Sequence, residues 1–375
     1  MNITPDVTFH PFEIAFCGFS NSGKTTLISR LVSLFSKSYS VGYYKHGCHR
    51  FDIDREGKDS FVVSQSGATT VMLSDPERHA LVSNAGSDPL LEKTGLLHAD
   101  FLLVEGLKEL PLPKLVVVDR DHRILDLLGK KTLKNVIALI APDPASIPDA
   151  YGLPVFHRDR TEEIAEFILT FFHGMVSNRQ LFGLVLAGGE SKRMGEDKAL
   201  LTYHTEVQIE HTAAMLLKHC KEVYLSCRYD QQNSYSKYGI PLVPDSYLGI
   251  GPLGGLLSAQ KRFPEASWLV TACDLPFLDH TLLGELVVER NPFSFATAYH
   301  HAGRKPEPLC TIYEPKSRLP LIFRHATGNN SLRSFLEDSR IHYLSIKDPR
   351  SLHNINTPEE RKQVIESLSM RGKTQ

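Results

Sequence analysis

Phe182–Leu201 reads FGLVLAGGESKRMGEDKALL. A short apolar run from Phe182 to Leu186 stops at Ala187-Gly188-Gly189. A polar stretch with Arg193 and Gly195 then leads to Asp197-Lys198 and a second apolar run of helical character. Strand, glycine turn and cationic loop follow in the order a triphosphate site needs. Glycines let backbone N–H groups approach phosphate oxygens with no Cβ in the way. Arg193 and Lys198 are the catalytic candidates here, because cations neutralise the charge that builds up as pyrophosphate leaves. Leu186, Ala187, Gly188, Gly189 and Lys198 are the expected nucleotide-binding residues. Any strand–loop–helix connection can carry a bare Gly-Gly, but the full string LAGGxSxRMGxDKxLL is far more specific.

The chain around this stretch has 375 residues, enough for two domains with separate cores. With 42 basic and 43 acidic residues the formal net charge is −1, which gives no electrostatic case for a nucleic-acid or membrane-surface partner. The six cysteines are scattered without a CxxC pair, which argues against a zinc ribbon or a disulfide framework and fits a reducing compartment. The first residues lack a basic segment followed by a long apolar core, so no signal peptide is expected. No apolar run approaches the roughly 18 residues of a membrane span. A cytoplasmic protein is expected.

Upstream, Glu13–Cys17 reads as a buried strand that runs into Gly18-Phe19-Ser20-Asn21-Ser22-Gly23-Lys24-Thr25 and then into the helical run from Thr26. This is a complete GxxxxGKT phosphate loop in strand–loop–helix context. Gly18, Asn21, Ser22, Gly23, Lys24, Thr25 and Thr26 are its expected nucleotide contacts. Loop amides and the helix N-terminus hold the phosphates. Lys24 reaches the β- and γ-phosphates, and the Thr25 hydroxyl ligates Mg²⁺. DFLLVEG (100–106) places an acid, Glu105, at the end of a second strand, as either a Mg²⁺-ordering carboxylate or a helix cap. Further strands are expected at Tyr39–Tyr44, Lys114–Asp119 and Asn135–Ala141. His46, Cys48 and His49 lack zinc spacing. No NKxD string specifies guanine in this half.

The proline-rich 142–154 stretch, a helix over Thr161–Phe172 and a short linker, HGMVSNRQ, place the domain boundary at 175/176. Beyond the opening motif, strands are expected at Glu222–Cys227, Leu242–Pro244 and Trp268–Cys273, with a helix opening at GPLGGLLSA (251–259). Asp245 ends one strand and can recognise a base or ribose, since a carboxylate accepts two hydrogen bonds from guanine N1 and N2 or from hydroxyls. As a turn former it would need no ligand. Asp274 ends the most apolar strand of this half, where α/β proteins place ligands, and is the leading candidate for catalysis, nucleotide and Mg²⁺.

These strings resemble known families. The 182–201 signature is similar to that of nucleotidyltransferases with a Rossmann-like fold, and most of all to the molybdenum cofactor guanylyltransferases, MobA. These transfer GMP from GTP to the terminal phosphate of molybdopterin. VGYYKHGCHRFDIDREGKDS (41–60), SGATTVML (66–73) and DFLLVEG resemble the MobB family of phosphate-loop proteins. The two resemblances cover about 13–172 and 181–368. They imply an α/β fold class in two domains: a MobB-like phosphate-loop NTPase-like parallel sheet over 1–175 and a MobA-like nucleotidyltransferase fold over 176–375. They also assign Mg²⁺ to Asp274. Ser226 stands where the family often has a nucleotide-contacting Asn. Asn354 and Asn356, in the closing NINTPEE, and Arg304, in the basic loop 300–308, become candidates for the acceptor. GTP and molybdopterin are the implied substrates, and molybdoenzymes or their chaperones the implied recipients. The first half would be a slow GTPase or an adaptor. Two other readings use the same residues: a cytidylyl or sugar-phosphate nucleotidyltransferase, and a nucleotide-gated cofactor delivery protein.

Overall fold

The computed structural model describes residues 9–45, 54–84, 88–188, 198–203, 206–301, 305–355 and 357–371. The chain divides into two compact units, Met1–Phe172 and His173–Gln375.

The first unit is built on strands β1 (Glu13–Cys17), β2 (Val41–Lys45), β3 (Thr70–Ser74), β4 (His79–Ser83), β5 (Phe101–Glu105), β6 (Lys114–Val117), β7 (Val136–Ala141) and β8 (Val155–His157). Six of them form one sheet in the order β2-β5-β1-β6-β7-β8, and every pairing in it is parallel. β1, β5 and β6 are buried along their whole length, as strands covered on both faces must be. β3 and β4 pair antiparallel as a separate hairpin, which the sequence reading did not anticipate. The helix Thr161–Ser177 buries Ile164, Ala165, Ile168 and Phe172 along one stripe. It runs five residues beyond its expected end at Phe172 and absorbs most of the expected linker, so Gly174 does not break it. A glycine costs a helix only about 1 kcal/mol.

The second unit carries β9 (Leu181–Leu186), β10 (Glu222–Cys227), β11 (Leu242–Pro244), β12 (Ser267–Ala272), β13 (Ala296–His300), β14 (Pro306–Tyr313) and β15 (His342–Ser345). Their order is β11-β10-β9-β12-β14-β13-β15. β9 lies parallel between β10 and β12, whereas β14 runs antiparallel to both β12 and β13. The sheet is therefore mixed. Phe182, Tyr224, Phe263 and Trp268 interlock at the N-terminal end of β9 with ring centroids 5.1–6.1 Å apart. The chain leaves β9 for β10 on one side and returns to β12 on the other. A crevice at the carboxyl ends of these strands is where such a switch of direction places a ligand. The register fixes its floor: Leu186 pairs with both Ser226 and Ala272.

Candidate functional site

In the second unit Leu186, Ala187, Gly188, Lys198, Ser226, Asp245 and Asp274 lie at the carboxyl ends of β9, β10, β11 and β12 or in contact with them. The ladder continues past β9, with Ala187 N donating to Ser226 O at 3.0 Å and Cys273 N to Leu186 O at 3.4 Å. The fully buried Tyr235 donates its hydroxyl to Ala187 O at 3.4 Å and itself receives Gln231 Nε2 at 3.1 Å. Lys198 Nζ lies 3.3 Å from Asp274 Oδ2, with each side chain less than a fifth exposed. Asp274 Oδ1 is buried and has no hydrogen-bond partner among the described residues. Burial pushes the Asp274 carboxyl above the usual carboxylate range, and the Lys198 ammonium only partly offsets it. An orphaned carboxylate oxygen in a dry site is costly unless a ligand completes it.

A hard divalent cation fits this donor set. Such an ion is commonly held by one or two carboxylates and completed by substrate phosphates and water. Among the described residues no group of three or more His, Cys, Asp or Glu converges to hold a metal. Asp274 would be one protein ligand, with phosphate oxygens able to supply others.

On the other side of β9, Ser226 Oγ donates to Asp245 Oδ1 at 2.8 Å. Ser226 is buried, so its hydroxyl acts through Asp245 rather than on the open crevice. Burial raises the Asp245 pKa, against the Ser226 hydrogen bond and the Arg228 charge. A Cβ at Gly188 would lie 3.0 Å from Asp245 Oδ2, so the carboxylate lies directly against the glycine turn. The helix Pro252–Arg262 closes in from behind. A Cβ at Gly255 would meet Ser226 Oγ at 2.3 Å, and one at Gly254 would meet the Tyr247 carbonyl at 2.4 Å. Backbone cannot retreat from a methyl as a flexible side chain can. Gly254→Ala is therefore expected to destabilise the second unit by about 1–3 kcal/mol, the usual cost of overpacking. A calorimetric melt of the full chain checks this, and an unchanged transition would refute the close packing.

The closing segment reaches the same place. Ile355 N donates to Asp274 O at 3.1 Å, which brings the Asn354-Ile355 backbone against the end of β12. Ile355 packs with Leu201, Tyr203 and Val364. Thr357 and Glu360 form a reciprocal cap, with Glu360 N to Thr357 Oγ1 at 3.2 Å and Thr357 N to Glu360 Oε2 at 3.1 Å, ahead of the helix Pro358–Arg371. Gly189, Arg193, Arg304 and Asn356 lie outside the described residues, as does the His46-Cys48-His49 stretch.

In the first unit the loop after β1 turns through Asn21 at φ 63° and Gly23 at φ 93° into the helix Lys24–Phe35. Thr26 lies in the first turn of that helix. Gly18 packs so tightly that a Cβ there would sit 2.6 Å from Ser22 Oγ and 2.7 Å from Val117 O. Lys24 Nζ folds back onto Phe19 O at 2.8 Å, with Ser22 Oγ at 3.5 Å. Burial lowers the Lys24 pKa, while Glu105 favours its charge. Thr25 Oγ1 lies 3.0 Å from each oxygen of Glu105. Tyr43 Oη donates to Glu105 Oε2 at 2.8 Å, and Lys45 Nζ stands 3.4 Å from Oε1. Burial works to raise the Glu105 pKa, but the Tyr43 and Thr25 hydroxyls and Lys45 outweigh it and hold the carboxyl below its usual range. A hydroxyl paired with an ionised carboxylate is an oxygen donor set suited to Mg²⁺.

The sequence reading missed several of these neighbours. Tyr43 and Lys45 reach Glu105 because β2 pairs with β5 in a register that sets Lys45 opposite Glu105. The Lys108 ammonium and the Arg123 guanidinium lie 4.3 and 5.3 Å from the Phe19 ring centroid. Arg228 Nη1 donates to Gly188 O at 3.3 Å. Only the sheet order brings these residues together, so no local spacing announced them.

Comparison with known proteins agrees with this division. Residues 183–344 match the family of the MobA-like NTP transferase domain, and residues 13–142 match molybdopterin guanine dinucleotide synthesis protein B. A molybdenum cofactor biosynthesis bifunctional protein from Synechocystis sp. is 32% identical over 50% of this chain and 55% of its own length. The chain thus spans about half of that relative. A probable molybdenum cofactor guanylyltransferase from Pelotomaculum thermopropionicum is 31% identical over 48% of this chain and 90% of its own. Among solved structures, MobB of Bacillus subtilis is 30% identical over 42% of this chain and 96% of its own, with a TM-score of 0.35.

Proposed function

Since the chain belongs to the MobA-like NTP transferases through residues 183–344 and to the molybdopterin guanine dinucleotide synthesis protein B family through residues 13–142, we propose that it transfers GMP from GTP to molybdopterin. The products are molybdopterin guanine dinucleotide and pyrophosphate. The observation that carries this reading is the buried Asp274 at the carboxyl end of β12, with one oxygen on Lys198 and the other without a hydrogen-bond partner among the described residues.

The terminal phosphate of molybdopterin is already anionic at neutral pH. One of its oxygens attacks the α-phosphorus of GTP, and the bond from that phosphorus to the bridging oxygen breaks, releasing pyrophosphate. No general base is needed, so catalysis rests on positioning and charge stabilisation. Mg²⁺, when bound, would supply Lewis-acid stabilisation of the α-phosphate oxygens. Asp274 would hold that ion, and Lys198 would neutralise the triphosphate as charge moves to the leaving group. Backbone amides of residues 187–195 and the Arg193 side chain are the proposed further phosphate contacts. Asp245, kept in place by Ser226, accepts from the guanine edge. Asn354, Asn356 and Arg304 are the proposed acceptor contacts. The phosphate-loop unit binds GTP as an accessory, and the Thr25 hydroxyl and Glu105 would hold a Mg²⁺ ion there. Molybdoenzymes or their chaperones would receive the product.

Purified chain with Mg²⁺, molybdenum-loaded molybdopterin and GTP, CTP or UTP in turn provides the test. Pterin-dependent pyrophosphate release with GTP alone is the expected result. Transfer from CTP would change the product while keeping the mechanism, and silence with all three would favour a delivery role.

A further inference from the structure

Gly188 lies beside an acceptor and a donor. Asp245 Oδ2 is 3.0 Å from where its Cβ would be, and the Arg228 backbone N and Cγ are 3.7 and 3.9 Å from the same point. Both partners leave adjacent strands in register, because Cys227 of β10 pairs with Pro244 of β11. The two side chains therefore emerge together at the carboxyl end of the sheet. Arg228 is also held in a fixed plane. Its Nε and Nη2 bond to Asp230 Oδ1 and Oδ2 at 3.1 and 3.0 Å, while Nη1 reaches Gly188 O at 3.3 Å. Its backbone N is tied to Gln231 Oε1 at 3.0 Å. Asp230 is two-thirds exposed, so this fork is not one needed to hold a core.

A guanine base presents N1–H and N2–H donors on one edge, and the acceptors O6 and N7 on the adjoining one. A carboxylate complements the first and a planar guanidinium the second. We propose that Arg228, splinted by Asp230 over the Gly188 backbone, reads guanine O6 and N7 while Asp245 reads N1 and N2. This rests on the GTP-dependent transfer proposed above and adds a second specificity residue to it. The serine at 226 fits the assignment. Buried and spent on Asp245, it leaves discrimination to longer side chains around the same turn. Burial raises the Asp245 pKa, and the Ser226 hydrogen bond and the nearby Arg228 charge oppose that rise. Cytosine and uracil have no N7 and cannot engage the fork in the same way. Adenine offers an amino donor where guanine offers O6, and would set donor against donor.

The test is nucleotide binding by calorimetry in a Lys24→Ala background, so that the phosphate-loop site does not contribute. Four ligands are compared: GTP, ITP, 7-deaza-GTP and CTP. The parent chain should bind 7-deaza-GTP more weakly than GTP because N7 is missing. Arg228→Gln should weaken GTP and ITP together by about tenfold or more, the range of a good bidentate contact to a base. It should leave CTP unchanged and abolish the penalty for 7-deaza-GTP. The GTP-to-ITP ratio, set by Asp245 on N2, should not move. Asp230→Asn keeps the arginine but frees its plane, and should give a smaller loss with the same pattern. Equal loss for all four nucleotides would overturn the inference, since Arg228 would then only brace the Gly188 carbonyl. An undiminished 7-deaza-GTP penalty in Arg228→Gln would overturn it as well. If the Lys24→Ala chain bound no GTP at all, the proposed transferase would fail, and this inference with it.

Discussion

Asp274→Asn is expected to cut GMP transfer about a hundred- to a thousandfold, the usual cost of removing a preorganised charge contact from a reacting phosphoryl or acyl group. The same substitution should raise the melting temperature of the ligand-free protein at neutral pH. Both effects have one cause. Asp274 is buried at the end of β12 with Oδ1 lacking a partner among the described residues, and its pKa is raised mainly by that burial. A raised folded pKa means that the neutral carboxyl is the form the fold prefers. The stability this group contributes is present below the unfolded value of 3.8 and lost as pH rises through the folded value. At neutral pH the ionised carboxylate is therefore a net cost, which an amide of the same shape relieves. The gain in melting temperature should shrink as pH falls through that window and vanish below it. Lys198 opposes the change, since it loses its anion 3.3 Å away. The raised pKa says that burial outweighs this attraction. Thermal melts of both proteins between pH 3 and pH 8, in buffer without nucleotide or divalent ions, decide the matter. A lower melting temperature for the variant at neutral pH would make the Lys198–Asp274 pair a structural ion pair. Normal transfer rates would remove Asp274 from the mechanism altogether.

Some of this site could be read in the sequence because it is local. Glu13–Cys17 and Glu222–Cys227 are the strands expected, residue for residue, since each is a short apolar or alternating run bounded by glycine or charge. The loop into the helix Lys24–Phe35 and the helix opening at 251–259 were legible for the same reason: their geometry depends on residues a few positions apart. What was not legible depends on pairing across the sheet. Apolar strands do not state their direction, so the antiparallel insertion of β14 between β12 and β13 could not be inferred from LCTIY alone. The Ser226–Asp245 bond spans 19 residues, and Thr25–Glu105 spans 80. Each residue was picked out singly, but that they touch is a consequence of strand order. Arg228 carried no motif at all, and its position over Gly188 appears only once β10 lies beside β9. In the other direction, local reading overstated the linker. HGMVSNRQ was expected to be a linker, yet the preceding helix continues through its first five residues to Ser177.

Lys24→Ala is expected to lower GTP binding at the phosphate loop about a hundredfold, as loss of charge-assisted hydrogen bonds to two phosphates would, while leaving guanylyl transfer intact. In the ligand-free loop Lys24 Nζ is satisfied by the loop itself, through Phe19 O at 2.8 Å. When nucleotide binds, the lysine would exchange this neutral carbonyl for an anionic phosphate. The exchange is favourable because the surroundings are short of negative charge. Lys45 and Lys108 both lie close enough to disfavour the Lys24 ammonium, and Glu105 is the one carboxylate opposing them in that set. Three ammonium groups facing one carboxylate match a metal–triphosphate complex of net charge near −2 better than they match water. Removing Lys24 takes away one of these ammonium groups and leaves Lys45 beside Glu105 and Lys108 beside Phe19. GTP stoichiometry by equilibrium dialysis is the cleanest measurement, because the chain should bind two nucleotides and the variant one at the same free concentration. Transfer to molybdopterin, measured in parallel, separates the possible roles. Unchanged transfer with one site lost makes the first unit an accessory that binds GTP for a purpose of its own. If transfer falls in step with phosphate-loop occupancy, the two units work as one machine, and the division of labour proposed for them is wrong.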